Sequence, residues 1–174
     1  METSTDLGLL VLRLVIGGLI LAHGSQKAFG AFGGMGPEGT APLFETWGFR
    51  PGRSRVLLAA ATEITGATLL VLGLLTPLGA AMILGTLLVA ASVNADKGLW
   101  AVKGGYELPL LYALVAGALA FTGPGRISLD HAFGLTRSWT PVTGVVAVVV
   151  GALAAYAFIA SSRRARALTP QETA

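Results

Sequence analysis

Residues 7–29, LGLLVLRLVIGGLILAHGSQKAF, are apolar over a length that crosses a bilayer, yet they carry Arg13, His23 and Lys27. About 20 apolar residues in a helix span the ~30 Å hydrocarbon core, where each backbone polar group has to be satisfied within the helix itself. At 100° per residue Arg13 and Lys27 fall about 40° apart, His23 lies within about 40° of Lys27, and Gly17 and Gly24 share that side. A single central arginine or lysine in lipid is disfavoured by at least ~2.5–3.5 kcal/mol. The rest of the chain therefore has to supply neighbours that make a basic, glycine-floored stripe tolerable. That requirement points to a helical membrane protein with a polar interior site.

The remaining apolar runs fit this reading. Spans are expected at 56–75, 77–94, 106–122 and 141–160, with only Glu63 and Glu107 as charges inside them. Only 12% of the residues are charged and 53% are hydrophobic, against about 25% charged in a soluble domain. Thr76-Pro77 marks a sharp break, with Thr76 as a capping residue, so the second and third spans form an antiparallel hairpin. The fourth run, at roughly 17 residues, is close to the lower limit for spanning. In the last run Ala147, Gly151 and Ala155 repeat at a small-xxx-small spacing suited to close helix contact, within this bundle or in a homo-oligomer.

Between the first two spans, Gly34, Gly36 and Gly39 spell GxGxxG, but no strand precedes them, so they read as a loop leaving the membrane. Thr40 is expected to cap a short in-plane helix with Pro42 in its first turn and Trp47 and Phe49 at headgroup level. The segment RISLDHAFGLTRSW, containing Asp130 and His131, reads as a solvated loop. The N-terminus lacks a basic n-region and an A-x-A site, so the first run is expected to be a retained helix rather than a cleaved signal.

Lys27, Arg50, Arg53, Arg55, Lys97, Lys103, Arg163, Arg164 and Arg166 fall on one side of a five-span topology, and Arg126 and Arg137 on the other. The bias places the basic tail in the cytoplasm and the N-terminus outside, in a cell membrane. It also accounts for the net charge of +3 without nucleic acid. No cysteine is present, which removes thiol and Fe–S chemistry, and two histidines in different elements give no metal-ligand spacing.

The groups able to carry chemistry are His23, Lys27, Glu63, Asn94 and Glu107, lining a cavity for a polar head group, a proton or a quinone carbonyl. Depth counting puts Arg13 roughly 9 Å below the outer edge, Glu63 roughly 10 Å above the inner edge and His23 about 6 Å from it. Glu63 is therefore nearer His23 than Arg13, and both pairings stay open. Lys27 lies at the inner edge, where it can snorkel to water. A carboxylate in a first helical turn, as at Glu107, is also what the helix dipole alone favours.

HGSQKAFG at 23–30, FGGMGPEGTA at 32–41, Glu63-x-x-Gly66 leading to LGLLTPLGA at 72–80, KGGYELPLLY at 103–112 and GPGRISLD at 123–130 resemble the DoxX family over residues 7–134. The resemblance implies a four-helix membrane domain, here 1–136, related to the small subunits of thiosulfate:quinone oxidoreductase-type complexes. The all-α chain would then carry an additional transmembrane helix and basic tail at 137–174. It further implies that His23, Lys27, Glu63 and Glu107 are recurring polar positions and that soluble redox proteins are partners. With no redox centre of its own, such a chain is at most an accessory subunit that binds a quinone. A lipid- or solute-binding module or transporter, and a purely structural scaffold, are the competing readings.

Overall fold

A computed structural model describes residues 2–168. It is all helical: α1 (Glu2–Phe29), α2 (Gly36–Thr46), α3 (Gly52–Leu72), α4 (Thr76–Val93), α5 (Glu107–Thr122), the one-turn α6 (Leu129–Ala132) and α7 (Pro141–Ala167). Short 3₁₀ turns link several of these, and no strand occurs among the described residues. Four helices, Thr3–Phe29, Gly52–Leu72, Thr76–Val93 and Pro141–Ala167, are long and apolar enough to cross a membrane. The protein is a multi-pass membrane protein. The first and last helices are longer than the apolar runs suggested, because their polar ends continue the helix beyond the apolar part.

At 16 residues, α5 is shorter than these four and measures about 24 Å. It still runs from one end of the bundle to the other. It leaves the 95–106 loop that follows α4 and ends where the Arg126 N–H donates to Asp6 Oδ1 (2.8 Å), beside the start of α1.

The helices meet through small residues. In lipid, association rests on close packing rather than on expulsion of water, which favours glycine and alanine at contacts. A Cβ on Gly24 would come within 2.7 Å of Ile64 Cγ1, and one on Gly17 within 2.6 Å of Val71 Cγ2. Both glycines thus let α1 lie against α3. The Ala147, Gly151 and Ala155 face is buried inside the chain, where a Cβ on Gly151 would stand 2.6 Å from the Ala81 carbonyl oxygen. This face packs on α4 within the chain. α4 is the centre of the bundle, with α3, α5 and α7 packed on it, and α1 packs on α3.

The end carrying α6 is locked by a residue that the sequence reading left in solvent. Asp130 is fully buried. Its Oδ1 accepts from the Leu75 N–H (2.7 Å), and its Oδ2 accepts from the Thr76 N–H (2.9 Å), the Thr76 hydroxyl (2.8 Å) and the Trp139 indole (3.0 Å). It is Asp130, therefore, and not Thr76, that satisfies the start of α4, and a carboxylate there also suits the helix dipole. Immediately before it, α3 closes on Gly73 (φ 60°), with Gly73 N–H donating to Leu70 O and Leu74 N–H to Leu69 O, the paired bonds of a Schellman ending.

At the opposite end, α2 begins at Gly36, with Pro37 in its first turn and Pro42 inside it. Thr40 is buried within this helix and does not cap it, because Gly36 (φ 66°) and Pro37 already start it one turn earlier. α2 packs on α3 instead of lying alone at the headgroups. Its aromatic end is gathered inward, with ring centroids 5.5 Å apart for Phe44 and Trp47 and 6.4 Å for Phe49 and Phe158 of α7. An exposed ion pair, Arg53 Nε to Glu38 Oε1 at 2.7 Å, joins α2 to α3. The Arg53 guanidinium holds the Glu38 carboxyl below its ordinary range. Any stabilisation this gives is present at neutral pH and fades as the pH falls through that lowered range. Both partners are open to solvent, so Glu38→Gln should leave the melting temperature in detergent unchanged.

Candidate functional site

The centre of the α2 half of the bundle is one ion pair. Lys27 Nζ, from the last turn of α1, donates to both carboxylate oxygens of Glu63 on α3, at 2.7 and 2.6 Å. The Glu63 side chain is 3% exposed and that of Lys27 25%. Lys27 therefore folds inward instead of snorkelling, since a carboxylate enclosed among apolar helices demands a counter-charge within hydrogen-bonding reach. Gly24 makes the reach short by bringing α1 onto α3, its own Cβ position lying 3.3 Å from Glu63 Cβ. Neither His23 nor Arg13, the partners left open by depth counting, bonds Glu63.

Arg13 belongs to the other half. It is fully buried, its Nη2 donates to the Ile127 carbonyl, and it feels the charge of Asp130. Gly73 provides the room, for any Cβ there would overlap the guanidinium. Among the described residues, Arg13 Nε and Nη1 have no hydrogen-bond partner.

Two cavities meet at the Lys27–Glu63 pair. The larger, about 490 Å³, lies where α3 and α7 diverge from their common neighbour α4, with α2 across one end. Its wall along α4 runs from Leu78 to Asn94, roughly 24 Å of helix. Polar side chains lie in the half nearer α2, with Lys27, Arg55, Asn94 and Thr40 toward that end beside Trp47 and Phe158, and Glu63, Thr62 and Thr86 about midway along the wall. Elsewhere the wall is nearly all apolar, from residues such as Leu78, Ala81, Val89 and Val150. The shape is an apolar trough with a polar half. Arg55 lies 5.3 Å over the Phe158 ring, which holds that guanidinium at the trough mouth.

The smaller cavity, about 260 Å³, lies between α1 and α5 and is lined by His23, Lys27, Glu63, Leu108 and Tyr112 among others. His23 is exposed, with Nδ1 3.1 Å from Gln26 Oε1. Gln26 Nε2 donates to the Phe32 carbonyl, so the amide oxygen faces His23. That network assigns the ring proton to Nδ1 and leaves Nε2 as an acceptor.

The expected residues thus separate. Lys27, Glu63 and Asn94 line the large cavity, and His23 shares the small one with the ion pair. Glu107 joins neither; its Oε2 accepts from the Ala101 N–H at 2.8 Å and closes the loop before α5, which is the role its position in a first turn allows. Sequence reading missed Arg55, which it counted only as a topological charge, and Tyr112, one aromatic among many apolar residues. Among the described residues no three His, Asp or Glu side chains group to hold a metal ion.

The DoxX family model matches residues 8–96, from α1 to the end of α4. That range holds both partners of the ion pair but neither α5 nor α7. A Haemophilus influenzae protein described as "Uncharacterized protein" is 33% identical over 131 residues, covering 70% of this chain and 87% of the relative. No solved structure matches the chain. The matched segment makes up half of the sequence and contains the buried pair, and the chain belongs to the DoxX family.

Proposed function

We propose that this chain is a membrane-embedded binding subunit for an elongated lipophilic molecule of the quinone class. The ring would lie against the Lys27–Glu63 pair and the tail along α4. The observation that carries this reading is the shape and polarity of the large cavity: a trough of about 490 Å³ whose charged groups lie in the half nearer α2, with an apolar remainder toward Leu78. The residues fit such a ligand. Lys27 and Asn94 offer donors to a carbonyl, Trp47, Phe44 and Phe158 offer ring faces, and the remaining wall suits an isoprenoid chain. When bound, a quinone supplies two-electron, two-proton exchange, and a soluble protein docked at the basic α2 end supplies or takes the electrons. The chain itself binds, orients and keeps the reacting ring away from bulk water. In this reading α5 also crosses the membrane, and the α2 end is cytoplasmic.

Trp47 is the natural reporter. Titrating a short-chain quinone into proteoliposomes should quench its fluorescence to saturation. Trp47→Phe should remove the saturable part, and Ala59→Leu, which narrows the trough, should weaken the apparent affinity by about tenfold, the equivalent of 1.4 kcal/mol. Quenching that never saturates, or that is the same in all three proteins, would remove the reading. An acyl lipid would fit the same apolar wall. If native membranes yield the protein with lipid but no quinone, the lipid-binding alternative stands in its place.

A further inference from the structure

We infer that the small cavity is the proton route to Glu63, with His23 as the group that exchanges protons with water, so that the ion pair is opened from the side opposite the lipophilic ligand. This inference rests on the binding role proposed for the large cavity. Lys27, Glu63 and Ala90 line both cavities and so form the partition between them. The two sides differ in chemistry. The large cavity is mostly apolar, with the Thr62 and Thr86 hydroxyls and the charged groups in its α2-side half. The small one has an imidazole at its exposed edge, with Nε2 free to accept, and a phenol, Tyr112, on its α5 wall. Imidazole is the side chain that ordinarily changes charge near neutral pH. About 260 Å³ next to charged and hydroxyl groups is ample for several waters.

The transfer balances as follows. A hydronium ion at the α2 end protonates His23 Nε2. The imidazolium passes one proton through cavity water to the Glu63 carboxylate and returns to neutral. Glu63 becomes a neutral carboxyl group, its Coulomb attraction to Lys27 is lost, and the ammonium turns to the ligand carbonyl. Deprotonation reverses each step. The titratable and charged groups facing Glu63 are Lys27 and His23 of α1, Tyr112 of α5 and Arg55 along α3. α4, α2 and α7 bring no ionisable side chain to either cavity. His23 is the most exposed of these groups and lines the small cavity.

The full chain in nanodiscs, without added quinone, should be subjected to a rapid drop in pH. Time-resolved infrared absorption then reads the appearance of the carboxylic acid band, which Glu63→Gln identifies by removing it. His23→Gln should slow that band by roughly tenfold or more while leaving its final amplitude unchanged. Ala59→Leu, which fills the other cavity, should leave the rate at that of the wild type. Circular dichroism and gel filtration establish that each variant is folded. Slowing by Ala59→Leu with none from His23→Gln would overturn the inference, because protons would then arrive past the ligand. An unchanged rate in both, or no Glu63 band at all, would overturn it too. Trp47 quenching is measured separately, so a failed proton route leaves the binding reading intact, and failed quenching does not alter the infrared result.

Discussion

Lys27→Met should destabilise the protein in detergent by about 3–5 kcal/mol, because it leaves the Glu63 carboxylate enclosed with no counter-charge. Lys27 Nζ donates to both of its oxygens and is its counter-charge. Glu63→Gln should cost less, since the Lys27 ammonium retains a quarter of its exposure and a flexible stem with which to reach water. The double variant Lys27→Met/Glu63→Gln should recover most of the loss, for two neutral groups of similar size demand no desolvation of charge. Thermal or denaturant unfolding of the four proteins yields the coupling directly. Additive losses, with no recovery in the double variant, would mean that the pair is not a coupled unit. The same series also separates stability from function, because the double variant should be stable and yet fail to bind a carbonyl head group.

The second large effect is expected at the other end of the bundle. Asp130→Ala removes the acceptor for the Leu75 and Thr76 N–H groups, the Thr76 hydroxyl and the Trp139 indole. It also removes the negative charge that faces buried Arg13. The loss should again be about 3–5 kcal/mol, the cost of stranding a buried charge. Adding Arg13→Met should restore part of it, whereas Arg13→Met with Glu63→Gln should show no coupling, since those two sites lie in opposite halves. Wild-type unfolding for Asp130→Ala would show that the α3–α4 turn holds without its cap.

How far the sequence could be read follows the range of the interactions. The apolar runs, the break at Thr76-Pro77 and the cost of a charge in lipid depend on local composition and length, and the helices follow them. Intervals along one helix were also legible: Gly17 and Gly24 share a side with Lys27 and bring it onto α3. What depends on contacts across the chain was not. Counting depth from uncertain span ends carries an error of a helical turn, enough to favour His23 over Lys27 for Glu63. Asp130 lies 54 residues from the helix it caps, and a polar turn with an aspartate has the composition of a solvated loop whether or not it folds back. Ala147, Gly151 and Ala155 announced a contact but not its partner, because a small-residue face fits a neighbour in the same chain as well as one in another. Arg55 satisfied the charge bias so fully that nothing marked it as part of a site.

The origin of the two walls of the trough has a consequence for how the trough and its ion pair are encoded. Lys27, Glu63 and the α4 floor come from the family-matched segment, while Val150, Ala154 and Phe158 come from α7, beyond residue 96. The ion pair and the α7 wall of the trough are therefore encoded in separate stretches of the chain. Exchanging α7 between relatives would reshape that wall and leave the Lys27–Glu63 pair untouched. A change confined to one helix would in this way recast a wall of the trough without touching the ion pair.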